Sequence, residues 1–463
     1  MQKAIDYAAS HMDAFVADLI ECLRFPSIST RAEHDSDTSA CADWIVHHLR
    51  AMGIPGAVAV RTPGHPMITG EHIVDASLPT VLLYGHYDVQ PPEPIDGWRS
   101  PPFEPDVRDG VLYARGAADD KGQLFILFKA IESLLTSGVG LPVNLKFAIE
   151  GEEESGSESL RPFLESYREA LAADTVLICD TSMIDAHTPA ITRSLRGMAY
   201  AQVQLRSATR DMHSGEFGGA VVNVLHVLGH LIAAFHDGDH HVAIPGFYDD
   251  VDEPSDEDRR EVSTQPFTES SWRESAGGSP PCTETGYTIA EATALRPCLD
   301  INGVWGGYAG DGAKTVIPGS AGLKVSARLV ARQDPQDIFR KIDAFVRSHV
   351  PDGVEVNVTP LGFGNPLTVP TDSRAIAATS TALEETFGRP PVMYRGGGSI
   401  PAAALFGNIL GLDATMMGFG LKSDNIHAPN EHLGLGRFAH GIESVIRFLV
   451  HYAGAGQTRS HAV

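Results

Sequence analysis

Residues 80–88 read TVLLYGHYD. The run from Thr80 to Tyr84 is short, apolar and β-prone, and Gly85 ends it. That is the pattern of a strand covered on both faces. His86 and Asp88 follow at once, so an imidazole and a carboxylate stand just past the strand's carboxyl end. The construction recurs twice. VNLKFAI at 143–149 runs into EGEEESGS, which delivers Glu150, Glu152, Glu153 and Glu154, and TVLIC at 175–179 runs into Asp180. In open α/β sheets, ligands bind in the crevice beyond the carboxyl ends of the strands. Three strands that bring acid or imidazole to one edge mark the place of a site.

Working outward, helical spacing of apolar residues predicts one opening helix that ends before Pro26, and helices near 40–52, 123–135 and 159–171. Strands alternating with helices over short connections imply a mostly parallel sheet with helices on both faces. From about Arg196 the character changes. GMAYAQVQLR, GLKVSARLV and GVEVNVTPL read as strands, and VVNVLHVLGHLIAAF and PQDIFRKIDAFVRSHV as helices. That order suggests an inserted α+β domain of the split-βαβ type. Residues 248–281, rich in charge, Ser, Pro and Gly, read as a long loop or an irregular helical excursion. Helix and sheet then return, with helices at 375–387 and 434–452 and a short strand at 414–417. The expected fold is α/β: a catalytic domain from 1–195 and 369–463, interrupted by a second domain at 196–368.

The chain has 463 residues, too many for one ordinary core, and a formal charge of −24. That charge argues against nucleic acid and anionic membrane as partners, since both attract basic patches. Cys22, Cys41, Cys179, Cys282 and Cys298 stand singly, which fits a reducing, cytoplasmic compartment and no cysteine zinc site. Charged residues interrupt the apolar pattern near the N-terminus, unlike a signal peptide or membrane span.

Taken alone, each acidic element has a dull reading. An H-x-D pair is commonly a satisfied core or surface pair. A glutamate run is commonly a solvated turn. Asp119 and Asp120, ahead of the helix near 123, would ordinarily cap it. Together they change the argument, because carboxylates gathered at one buried edge repel each other without a counter-charge. A metal supplies it.

The blocks YGHYDVQP (84–91), WRSPPFEP (98–105), LYARGAADDKG (112–122), EGEEESGS (150–157), DMHSGEFGG (211–219), KTVIPGSA (314–321), GGGSIP (396–401) and HAPNE (427–431) carry a resemblance. The chain resembles the dinuclear-zinc aminoacylase, carboxypeptidase G and carnosinase family, and within it the cytosolic non-specific dipeptidases. The resemblance implies a zinc-exopeptidase-like catalytic domain, an inserted lid and dimerisation domain, and a homodimer. It implies two zinc ions per subunit, with manganese or cobalt as alternatives. His86, Asp119, Glu154, Asp180 and His427 match the metal ligands, Asp119 bridging and joined to Asp120 by a cis peptide. Asp88 matches the residue that orients His86. Glu153 matches the general base, its register fixed by the SGS that follows the Glu pair. In the implied mechanism a metal-bridging hydroxide attacks the peptide bond of a dipeptide or very short peptide. His213 matches a residue that stabilises the oxyanion across the dimer interface. Arg328 matches the residue that binds the substrate carboxylate, and Thr315, Gly397, Gly398 and Ser399 match its neighbours. An N-acyl amino acid deacylase or a short-peptide carboxypeptidase is the competing activity, and an inactive metal-binding scaffold is the competing class. His47, His48, His240 and His241 read as surface residues, and His432 as the possible competitor of His427.

Overall fold

The structure, a computed structural model, describes residues 1–265, 268–397 and 400–454. They fall into two compact units: Met1–Arg193 with Val369–Tyr394 and Ala402–Val463, and Ser194–Thr368 with Arg395–Pro401.

The first unit is built on a sheet with strands in the order Val58–Val60, Met67–His72, Asn144–Glu150, Thr80–His86, Thr175–Ile178, Ala414–Met416, Ala190–Leu195. Its centre is parallel, with Thr80–His86 between Asn144–Glu150 and Thr175–Ile178 and with Ala414–Met416 parallel to Thr175–Ile178. Both flanks are antiparallel. Thr80–His86 is buried at every position after Thr80, and Thr175–Ile178 throughout, so both faces of the central strands are covered. The register sets His86 beside Glu150 and Tyr84 beside Ile178, so the central strands end together at one edge.

The helix Lys121–Thr136 is buried along most of its length. Even Lys121 is interior, its Nζ donating to the carbonyls of Cys22 (3.2 Å) and Phe25 (2.8 Å). The closing helix Leu435–Gly454 approaches it closely at Gly441, where a Cβ would stand 2.5 Å from Ile126 Cδ1.

Several elements differ from the sequence expectation. The opening helix is two, Gln2–Ser10 and Met12–Leu23, separated at His11. The His11 ring stacks on Tyr7 and its Nδ1 reaches the Tyr7 carbonyl at 2.9 Å, the same oxygen that the His11 N–H meets at 3.1 Å. The expected 159–171 helix is only Leu160–Ser166, and the 40–52 helix begins earlier, at Asp35.

The second unit carries an antiparallel sheet in the order Cys298–Gly306, Ser320–Leu329, Gly197–Arg206, Glu355–Gly364. Along Gly197–Arg206 the buried positions alternate. Ala199, Ala201, Val203 and Leu205 join Leu228 and Leu231 of helix Val224–Ala234 and Ile338, Ile342 and Val346 of helix Pro335–His349 in one core. Strand, helix, two strands, helix and strand in this order make the split-βαβ arrangement. The sequence reading missed the edge strand Cys298–Gly306, which has a bulge between Ile301 and Gly303. The 248–281 segment contains two short helices, Asp256–Thr264 and Glu269–Ser275, each opened by a reciprocal cap, Ser255 with Asp258 and Thr268 with Ser271.

Candidate metal centre

The strand ends, the turn before Lys121 and the 425–430 loop gather two donor sets about one carboxylate. Asp119 Oδ1 lies 3.1 Å from His86 Nε2, which is 3.8 Å from Asp180 Oδ2. Asp119 Oδ2 lies 3.0 Å from His427 Nε2, which is 3.3 Å from Glu154 Oε2. The chain thus forms two triads, His86–Asp119–Asp180 and Asp119–Glu154–His427, each with donor atoms inside 4.8 Å. The Asp119–Asp120 peptide is cis.

Asp88 is fully buried beneath this cluster. Asp88 faces His86 Nδ1 with its backbone carbonyl at 3.1 Å and with its Oδ1 at 3.4 Å. It also accepts from Ser29 Oγ at 2.6 Å and from the backbone N–H of Glu153 (3.2 Å) and Glu154 (3.0 Å). Asp88 therefore aims an imidazole, through its carbonyl and its carboxylate, and its carboxylate holds the 3₁₀ turn Glu153–Ser155. Asp120 is no side-chain cap, contrary to the ordinary reading. Its Oδ2 accepts from the His86 N–H at 3.2 Å, and it stands so close that a Cβ at Gly85 would meet it at 2.9 Å.

Two of the glutamates past the second strand belong elsewhere. Glu150 takes the hydroxyl of Tyr84, and Glu152 accepts from the backbone N–H of His65 and Ser159, both at 3.1 Å. The sequence reading did not single out Gln90, whose Nε2 donates to Glu154 Oε2 at 2.7 Å, or Glu431, which accepts from the Asp119 N–H at 3.1 Å. Only their presence in the family blocks could have marked them. His432 is no competitor: its Nδ1 lies 2.9 Å from the Asn430 carbonyl and its ring packs on Tyr113. His48 is not the surface residue expected. It is half-buried against Trp44, Phe125 and Phe128 because helix Asp35–Ala51 turns that face inward.

The electrostatics fit a cation site. Burial lowers the basicity of His86, but Asp119 and Asp88 outweigh it and pull its pKa well up; Asp119 and Glu154 pull His427 up to about 10. Burial raises Asp180, helped by Asp120 and Asp119. Burial also lifts Glu153 to about 7, with Glu154, Asp119 and Asp88 adding to it against His86. A concentration of carboxylates that draws protons onto neighbouring imidazoles is the environment a divalent cation neutralises. Glu154 Oε1, buried and without a hydrogen-bond partner, is a donor such an ion would take up. The N and O donor set suits several divalent metals.

The remaining expected site residues lie in the second unit. His213 is exposed, on the Met212–His213 strand that pairs with Val316–Ile317, and its Nδ1 accepts from the Gly215 N–H at 3.0 Å. The Thr315 carbonyl accepts from the Ser214 N–H at 3.1 Å, so Thr315 and His213 are neighbours. Arg328 is half-buried on the central sheet, opposite Cys298 and Met198. The Gly397 carbonyl accepts from Arg196 Nε at 3.1 Å. Gly398 and Ser399 fall outside the described residues.

An α/β sheet that collects imidazoles and carboxylates about a shared aspartate defines a metallohydrolase. Residues 82–451 match Peptidase family M20/M25/M40, and the chain belongs to that family. It is 29% identical to the Beta-Ala-His dipeptidase of Homo sapiens over 98% of its own length and 93% of the relative's. It is 30% identical to the Cys-Gly metallodipeptidase DUG1 of Saccharomyces cerevisiae, over 95% of each. Among solved structures it resembles an M20 family metallo-carboxypeptidase from Sulfolobus solfataricus, with TM-score 0.85 and 31% identity over 95% of this chain and 99% of that one. Among the described residues no helix is long and apolar enough to cross a membrane.

Proposed function

We propose that this chain hydrolyses dipeptides in the cytoplasm with two divalent ions, zinc or alternatively manganese or cobalt, and with Glu153 as general base. It is a metal-dependent dipeptidase, as its full-length relatives are. The two-ion assignment rests on one observation: the two oxygens of Asp119 face separate donor sets, His86 with Asp180 and Glu154 with His427. When bound, the ions polarise the scissile carbonyl and acidify a water.

The chain's own residues supply the rest. Asp88 keeps the ring of His86 aimed and its Nε2 available. Glu153, on the turn that Asp88 caps, takes a proton from the attacking water and delivers it to the departing amine. We assign oxyanion stabilisation to His213 of a partner subunit and the substrate carboxylate to Arg328, with Thr315, Gly397, Gly398 and Ser399 beside it. The second unit then acts as lid and dimer interface.

The test is amino-acid release from dipeptides, tripeptides and N-acetyl amino acids, before and after chelation and metal add-back. Cleavage restricted to dipeptides is expected. Cleavage of acylated compounds alone would transfer the chain to the deacylases, and efficient tripeptide cleavage to the carboxypeptidases. Glu153→Gln should retain both ions while turnover falls by about 10²–10⁴-fold, the usual contribution of a general base. Mixing His213→Ala with Arg328→Ala should recover activity; no recovery would remove the shared dimeric site.

A further inference from the structure

The ligands of the two triads are held by unlike parts of the fold. His86 ends a strand at the centre of the sheet, and Asp180 follows the strand beside it. His427 rides on a loop with no such support. Within six positions, Asn425, His427 and Asn430 all have positive φ, at 56°, 61° and 62°. Such a conformation is uncommon outside glycine, though Asn and His adopt it more readily than other residues with a Cβ.

Asn430 pins the loop to the 97–99 turn, its Oδ1 accepting from the Arg99 N–H at 2.9 Å and its Nδ2 donating to the Gly97 carbonyl at 2.8 Å, and Glu431, directly after it, is fully buried and pins it to the Asp119 turn. Its Oε1 accepts from the backbone N–H of Ala118 (3.0 Å) and Asp119 (3.1 Å). Its Oε2 takes Arg115 Nη1 at 2.5 Å, and its carbonyl accepts from the Ala114 N–H at 3.1 Å. Arg115 is itself fully buried, with Nη2 donating to the Pro91 carbonyl at 3.1 Å and the guanidinium facing the Trp98 ring. Both carboxylate oxygens of Glu431 are partnered in this buried, charge-assisted network, although Arg115 Nε has no hydrogen-bond partner. A single carboxylate therefore ties the backbone of the shared ligand Asp119 to the loop that presents His427.

We propose that Glu431, neutralised by Arg115, is a positioning residue that couples the halves of the metal centre by fixing the spacing between Asp119 and His427. The inference rests on the two-ion reading above. It implies asymmetry. Loss of Glu431 weakens the ion held by Asp119, Glu154 and His427, and largely spares the one held by His86, Asp119 and Asp180. Arg115 acts through the same carboxylate, so its removal produces the same asymmetry.

The experiment is titration of the metal-free chain with cobalt(II), followed by its visible spectrum and by calorimetry, for the wild type, Glu431→Gln and Arg115→Met. Two resolved binding events are expected for the wild type. In both variants one affinity should fall by about 10–100-fold, the usual cost of losing a group behind a ligand, while the other stays within a few-fold. The Arg115→Met, Glu431→Gln double variant should be no worse than the poorer single one. Thermal melting of the metal-free proteins, together with Glu431→Asp as the charge-preserving substitution, separates positioning from misfolding: a folded Glu431→Asp chain should lie between wild type and Glu431→Gln in the weakened affinity. A wild type that binds one ion overturns the two-ion reading and this inference with it. A wild type that binds two, beside folded variants that lose both affinities equally or neither, overturns the inference alone.

Discussion

His48 offers a pH test that needs no metal. Its ring packs 5.1 Å from Trp44 and 5.4 Å from Phe125 between centroids, and its Nε2 lies 3.2 Å from Lys129 Nζ. Lys129 is buried among Asp18, Glu132 and this imidazole. Burial, and then the Lys129 ammonium, push His48 from 6.5 down to about 4, against a smaller opposing pull from Asp18. The folded pKa lies below the unfolded one, so the unfolded chain binds the proton first as pH falls. The stability tied to neutral His48 is therefore complete above about pH 6.5 and lost progressively between about pH 6.5 and 4. At about 1.4 kcal/mol per pH unit the full loss is about 3 kcal/mol, an upper value because the ring keeps some solvent, and about 2 kcal/mol is gone by pH 5. His48→Gln retains an acceptor for Lys129 but cannot titrate. Urea unfolding of metal-free wild type and variant from pH 7.5 to 4.5, read by Trp fluorescence, measures the difference directly, since other titrating groups cancel in the comparison. The variant should be the less stable at pH 7.5 and gain on the wild type by up to about 2 kcal/mol at pH 5. A difference that does not change with pH would refute the reasoning.

Asp88→Asn keeps the shape but turns one acceptor into a donor that faces the N–H groups of Glu153 and Glu154. Metal affinity, followed by competition with a chelator, should fall by about 10–100-fold. Gly441→Ala forces a methyl against Ile126; the overpacking cost of about 1–3 kcal/mol is offset by about 1 kcal/mol of helix propensity, so thermal or chemical unfolding should show a net loss of at most about 2 kcal/mol. Because the nearest atom is Ile126 Cδ1, adding Ile126→Val should recover part of that loss, and a double variant no better than Gly441→Ala would place the strain elsewhere.

The centre of the first unit was legible because strands covered on both faces carry uniform apolar runs, as in Thr80–Tyr84 and Thr175–Ile178. The edge strand Cys298–Gly306 was not, since Asn302, Gly303 and Gly306 break the alternation that a half-covered strand should show. The helix break at His11 falls inside a continuous run of helical apolar spacing, which does not register it. His48 looked like a surface residue because a neutral imidazole among aromatic rings leaves no pattern of its own. Glu431 was hidden differently: its role lies in backbone groups 312 and 313 positions away, a pairing only the folded chain brings about.

The run EGEEE shows how the fold decides between chemically identical residues. Glu150 is still in register with His86 on the parallel strand, and its carboxylate is taken by the Tyr84 hydroxyl. Gly151 follows because a Cβ there would collide with the Tyr87 ring, so the chain must turn at that point. Glu152 is drawn away to cap the loop at His65 and the start of the helix at Ser159. Asp88 then captures the next two N–H groups and winds Glu153 and Glu154 into a 3₁₀ turn beside the ligand it already orients. The placement of Glu153 and Glu154 beside the metal centre thus follows from the turn that Asp88 holds, two residues beyond His86, and not from any difference among the glutamates. Shifting the register by one residue would bring Glu152 and Glu153 to Asp88 and leave the His65 and Ser159 N–H groups without their acceptor. An Asp88 substitution that loosens this turn should therefore disturb the proposed general base Glu153 and the proposed ligand Glu154 together, whereas Glu153→Gln disturbs only the first.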